Sequence, residues 1–206
     1  MQDTKKVWKK FIVLEGLDGA GTTTQREALT KALNAKGIKA VSTCEPTGNP
    51  IGQFLRRCLK GEWSLQSETL AHLFAADRNE HLYGTDGIST LLKQGYHVVC
   101  DRYLFSSLAY QSLTIPFDRV LSINEPFPLP EHLFFLRIDP DLAMKRLEGR
   151  SEKEIFETRE TQIRVADGYE KALFHYNNLS MNVWTVDATL SREAITEILL
   201  GKIFPV

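Results

Sequence analysis

Short apolar runs recur along the chain, separated by longer stretches in which apolar and polar positions follow a helical period. Phe11 to Glu15, Ile38 to Cys44, Tyr96 to Cys100, His132 to Ile138 and Asn182 to Asp187 are short and rich in β-branched or aromatic residues. Polar or turn residues bound each run, which predicts five buried strands. Helix-length segments lie between them: Thr23 to Lys36, Gln66 to Lys93 with a break near Gly84 and Gly87, Leu142 to Glu148, Glu157 to Tyr176, and Ser191 to Leu200. Asp139-Pro140 is a helix start, with proline early in the helix. Strands regularly separated by helices imply right-handed crossovers, so the expected fold is α/β: one domain over residues 1–206, a five-stranded parallel sheet with helices on both faces. Ligands bind such sheets at the carboxyl ends of the strands. The loops beginning at Gly16, Cys44, Asp101 and Asp139 are therefore expected to meet at one crevice.

The first of these loops carries the clearest chemistry. EGLDGAGTTTQ, Glu15 to Gln25, places Gly16 and Gly21 at the spacing of G-x-x-x-x-G-K-[ST], directly after a strand and before a helix. Glycines let such a backbone curl until its N–H groups point at phosphate oxygens, and the following helix adds the positive end of its dipole. Gly16, Leu17, Asp18, Gly19, Ala20, Gly21, Thr22, Thr23 and Thr24 are thus candidate nucleotide-binding residues. Thr23 falls where a hydroxyl would ligate magnesium. Thr22, however, falls where a lysine would reach the transferring phosphoryl group. Without that lysine, the segment alone is also compatible with an ordinary glycine-bearing βα turn.

Two further segments add to it. DRYLFSSLAYQS, Asp101 to Ser112, follows the third strand. A carboxylate at a strand's carboxyl end suits magnesium or its waters, and Arg102 can fork onto a phosphate; an Asp-Arg pair can equally be a surface ion pair. In LFAADRNEH, Phe74 and Arg78 are four apart on one helical face and could stack on and hydrogen-bond a base. The plainer alternative is a core phenylalanine beside a surface arginine.

Composition narrows the class. The chain has 206 residues and a formal net charge of −1, which argues against an extended nucleic-acid or anionic-membrane surface but not against a local basic pocket. Cys44, Cys58 and Cys100 are widely spaced without a CxxC pair, as expected of buried thiols in a reducing compartment. The start, MQDTKKVWKK, has no apolar core of a signal peptide, and no apolar run approaches a membrane span. The expected location is the cytoplasm.

In order along the chain, FIVLEGLDGAGTTTQ, EPTGNPIGQFLR, LFAADRNEH, DRYLFSSLAYQ, LFFLRIDPDLAMKR and VADGYEKA resemble segments of the thymidylate kinases, and DRYLFSSLAYQ with LFAADR at this separation is the most specific part. The resemblance implies a P-loop NTPase-like three-layer fold with a short lid, here about residues 147–157, and transfer of the γ-phosphate of ATP to dTMP with magnesium. It implies that Phe74 stacks on thymine, that Arg78 contacts its edge, that Ser107 and Gln111 lie beside it, and that Tyr103 lies near the sugar. Arg56 and Arg102 would hold the dTMP phosphate, Asp18 would lie near the 3′-hydroxyl, and Glu45 and Asp101 would help to position magnesium or its waters, with Thr23 the direct hydroxyl ligand. A homodimer is implied as well. There are three departures from the pattern: Thr22 replaces lysine, Cys44 stands where many relatives have arginine, and in the lid segment Lys153 falls near an expected arginine with Arg146 and Arg150 just upstream. Because charge must be neutralised on the transferring group, Arg150 or Lys153, with Arg102, Asp101 and magnesium, is expected to complete the catalytic set. The alternatives are a kinase for another nucleoside or nucleotide on this fold, and a non-catalytic nucleotide-binding relative, for which Thr22 is the best support.

Overall fold

A computed structural model of the chain describes residues 6–148, 155–177 and 180–205. Five strands form one parallel sheet in the order β2-β3-β1-β4-β5: β1 Val7–Gly16, β2 Ala40–Cys44, β3 His97–Asp101, β4 Leu129–Arg137 and β5 Asn182–Asp187. The expected α/β fold is the one observed. Phe11 to Leu14 on β1, Val98 to Cys100 on β3 and Leu133, Phe134 and Leu136 on β4 are fully buried. Strands covered on both faces read as unbroken apolar runs, which is why their positions were predictable.

Among the described residues the helices are α1 Thr22–Ala35, α2 Pro50–Leu59, α3 Ser67–Tyr83, α4 Ile88–Lys93, α5 Leu104–Gln111, α6 Phe117–Asn124, α7 Pro140–Leu147, α8 Arg159–Tyr176 and α9 Arg192–Ile203. α1 and α9 pack together on one face, while α3, α4, α5, α6 and α8 pack on one another over the other. This division follows from right-handed crossovers: the chain moves one way from β1 to β2 and back the other way thereafter. The expected break near Gly84 and Gly87 separates α3 from α4.

Three helices, α2, α5 and α6, lie outside the predicted segments. α5 buries Leu104, Phe105, Ser107, Leu108, Ala109 and Gln111, so it lacks the polar stripe by which a helical period is recognised. α2 begins on Pro50, acceptable at the first helical position because that N–H needs no partner. β1 also starts earlier than its apolar core: Lys9 and Lys10 are exposed, and the β1–β4 register shifts between Trp8 and Ile12.

Two close approaches seat the first βα loop. A Cβ at Gly16 would lie 2.9 Å from the Leu136 carbonyl oxygen at the end of β4, and one at Gly19 would lie 2.4 Å from the Ala143 carbonyl oxygen of α7. Gly19 also has φ +87°, which glycine adopts at little steric cost. Only glycine lets this loop lie so flat against its neighbours.

Candidate functional site

The carboxyl ends of β1, β2 and β3 open into one cavity of about 700 Å³, a volume typical of small-molecule sites. Asp18 to Thr24 form one wall; Glu45, Arg56, Phe74, Arg78, Asp101, Arg102, Tyr103, Ser107 and Gln111 also line it. The expected convergence is therefore real, and Phe74 and Arg78 face the same space as the glycine-rich loop. Gly16 and Leu17 are not on the lining: Gly16 supports the loop from beneath, and the Leu17 side chain is buried in the core. The fourth expected loop contributes through α7. Asp139 caps that helix, accepting from the Asp141 and Leu142 amides, while Arg146 reaches across to the Ala188 carbonyl at 3.0 Å.

At the phosphate end, α1 starts directly after Gly21 with no side-chain cap, so its first-turn N–H groups are left for a ligand. Thr22 is buried to 5% exposure. The Thr23 hydroxyl donates to Asp101 Oδ2 at 2.5 Å, which leaves the hydroxyl's lone pairs turned outward. Asp101 Oδ1 is buried without a hydrogen-bond partner among the described residues. A hydroxyl and an unsatisfied carboxylate oxygen side by side form the kind of hard-oxygen pair that could hold a magnesium ion or its waters.

Arg102 is held on several sides. Its backbone has φ 68°, a conformation sparsely populated by residues with a Cβ. Nη1 donates to the Gly16 carbonyl at 3.0 Å, the Ser106 hydroxyl at 3.3 Å and the Tyr169 hydroxyl at 3.1 Å. Nη2 pairs with Asp18 Oδ1 at 2.6 Å, and Asp18 Oδ2 accepts from Gln162 Nε2 at 2.9 Å. Arg56, on α2, donates to the Pro46 carbonyl and lies 3.5 Å from Cys44 Sγ.

At the other end Arg78 is 1% exposed and ion-paired with Glu45 Oε2 at 2.7 Å. It also donates to Asn124 Oδ1 and to Ser107 Oγ at 3.1 Å. Glu45 Oε1 faces His81 Nδ1 at 3.1 Å, so both oxygens of this carboxylate are engaged on the base side of the cavity. The side chain nonetheless lines the cavity. Tyr103 is fully buried, its hydroxyl on the Pro128 carbonyl at 3.0 Å and its ring under the Arg78 guanidinium. Gln111 Nε2 donates to Ser107 Oγ at 3.3 Å, leaving Gln111 Oε1 buried and unpartnered. Of the expected lid, Phe156 and Glu157 line the cavity; Arg150 and Lys153 lie outside the described residues.

Several site residues were not among those singled out from the sequence: Glu15, Asp77, His81, Ser106, Asn124, Gln162 and Tyr169. Asp77 fixes the loop after β2, accepting from the Thr47 amide at 2.8 Å and hydroxyl at 2.6 Å. Glu15 had a signal in the sequence, as a carboxylate closing the apolar run Phe11 to Leu14. Tyr169 and Gln162 had none of their own, because α8 reads as an ordinary amphipathic helix.

The sequence model of the family Thymidylate kinase matches residues 14–198 of this chain. A protein of Treponema pallidum (strain Nichols) that carries the same family name is 38% identical over 193 residues, 92% of each chain. A "Probable thymidylate kinase" of Methanococcus maripaludis (strain C7) is 47% identical over 161 residues, 78% of this chain and 75% of its own. A "Thymidylate kinase" of Leptospira interrogans is 37% identical over 167 residues, 79% of this chain and 81% of its own.

Proposed function

Because the chain belongs to the thymidylate kinase family and is a nucleoside monophosphate kinase acting on dTMP in nucleotide biosynthesis, we propose that ATP with magnesium is its phosphoryl donor and that the lining residues divide between the two nucleotides. The observation that carries this reading is the single cavity in which the Phe74 and Arg78 face opens onto the glycine-rich loop. A monophosphate and a triphosphate lying end to end need that continuity.

Asp18 to Thr24 cradle the triphosphate with backbone N–H groups and the α1 N-terminus. Thr23 and Asp101 Oδ1 hold magnesium or its waters, and the ion supplies charge neutralisation on the transferring group. Arg102 and Arg56 hold the dTMP phosphate. Asp18 sits between the two and is available to the 3′-hydroxyl. Phe74 stacks on the base, with Arg78 and Ser107 along its edge. The unpartnered Gln111 Oε1 matches the N3–H donor of a thymine, and a cytosine, which has an acceptor there, leaves it unpaired. Tyr103 closes the sugar side. Glu45 serves the base through Arg78 and would help to position magnesium or its waters. Arg150 or Lys153, with Arg102, provides the charge that Thr22 lacks. The protein acts in the cytoplasm as a homodimer; sedimentation would check the dimer.

The test is a coupled ADP-release assay with ATP and magnesium across dTMP, dUMP, dCMP, dGMP and AMP. The expected result is the highest kcat/KM with dTMP and a loss of at least about a hundredfold with dCMP, the scale on which a buried unpaired polar group discriminates. Equal use of another monophosphate, or binding of dTMP without dTDP formation, would overturn the reading.

A further inference from the structure

Glu15 is fully buried at the end of β1, and among the described residues no cation is paired with it directly. Oε1 accepts from the Tyr103 amide at 2.8 Å and the Ser106 amide at 3.1 Å. Oε2 accepts from the Ser106 hydroxyl at 2.6 Å and the Tyr169 hydroxyl at 2.9 Å. Tyr103 is the residue before α5, and that helix has no side-chain cap of its own. The carboxylate of another strand therefore does the capping, and it fixes the turn in which Arg102 takes its left-handed conformation.

The proton count sharpens this. Each hydroxyl has one proton, and an ionised Glu15 offers both of them an acceptor. With those protons turned to Glu15, the lone pairs of Ser106 and Tyr169 face Arg102 Nη1, which donates to both. A neutral amide at position 15 reverses the pattern: its NH2 donates to the hydroxyls, which lie 2.9 Å apart, so one of their protons can turn to the other hydroxyl and the second is left facing the guanidinium. Burial raises the Tyr169 hydroxyl well above its ordinary value, so it stays a donor.

We propose that Glu15 is a positioning residue for phosphoryl transfer, holding Arg102 in line through the Ser106 and Tyr169 hydroxyls and through the capped start of α5. The arrangement directs the guanidinium without spending its charge, because the carboxylate is one hydroxyl away from it. The inference rests on the reading above that Arg102 acts on the phosphates.

A double-mutant cycle on the full chain tests it, read as kcat and KM for dTDP formation and as dTMP affinity by calorimetry. Arg102→Ala is expected to lower kcat/KM at least a hundredfold. Glu15→Gln is expected to lower it at least tenfold in the wild-type background and less than twofold in the Arg102→Ala background. Loss by the same factor in both backgrounds would mean a general structural role and would overturn the proposal, as would no loss in the wild type. If Glu15→Gln does not fold, Tyr169→Phe decides: it is expected to cost severalfold in the wild type and nothing beside Arg102→Ala. Should Arg102→Ala leave kcat/KM unchanged, the reading of Arg102 falls, and this proposal with it. A large Arg102 effect with an indifferent Glu15 rejects the positioning role alone.

Discussion

The two ends of the cavity treat a buried carboxylate differently. At the base end Glu45 is bonded directly to Arg78, both are almost wholly buried, and the charges cancel where they stand. At the phosphate end Glu15 is buried just as deeply, but two hydroxyls stand between it and Arg102. The direct carboxylate partner of Arg102 is Asp18, and that pair is partly exposed, 19% and 18%. A partly hydrated pair is weak and can be exchanged for an incoming anion, whereas a dry one resists separation. On the proposed division of the site, a neutral base would ask Arg78 only for shape and hydrogen bonds, so that arginine could be neutralised in advance. A phosphate would ask Arg102 for charge, so that arginine would have to keep some.

The sharpest way to break this contrast is to remove the dry pair's anion. Glu45→Ala strands the Arg78 guanidinium in the core and is expected to destabilise the fold by about 3–5 kcal/mol, measured by denaturant unfolding. Asp18→Ala, at the wet pair, is expected to cost less than about 1 kcal/mol in the same measurement.

Next in size is the pH response of Glu15. Burial pushes its carboxyl up from 4.5 to about 7, against the lowering effects of the Ser106 hydrogen bond, Arg102 and Tyr169. Between those two values the folded state holds a proton that the unfolded state has released. The stabilisation from this group is thus complete below pH 4.5 and is lost as pH rises through 7, a change of about 3 kcal/mol at about 1.4 kcal/mol for each pH unit. Glu15→Gln lacks that component, so the difference in unfolding free energy between variant and wild type is expected to shift in the variant's favour from pH 5 to pH 8. A constant difference across that range would place Glu15 outside the titrating set.

A further effect, on rate and not on stability, concerns the missing lysine. Arg150→Ala or Lys153→Ala is expected to lower turnover at least tenfold, about 1.4 kcal/mol, in steady-state kinetics. Thr22→Lys is the companion variant: a large gain in rate would mean that the donor end lacks any replacement for the lysine.

Much of this was legible beforehand, for a physical reason. Strands buried on both faces must be apolar throughout, and a phosphate loop must be glycine-rich, so FIVLEGLDGAG announces both at once. Phe74 and Arg78 were legible because one helix brings them onto one face. Where the meaning of a residue depends on another far along the chain, the sequence is silent. Glu15 and Tyr169 are 154 positions apart, and either alone is a common residue in a common place. α5 escaped notice for the opposite reason: it is buried on nearly every side, polar residues included, and a helix without an exposed polar stripe has no rhythm to hear.

The reach of α8 into the first loop has a consequence for how the enzyme comes into being. Gln162 and Tyr169 hold Asp18 and Glu15, so the last third of the chain completes a site whose glycine-rich turn is translated first. A ribosome-bound chain ending before α8 would have β1, β3 and the loop itself, but not the side chains that steer Arg102. Catalytic competence is then expected to appear abruptly late in synthesis, rather than to grow as the sheet is laid down.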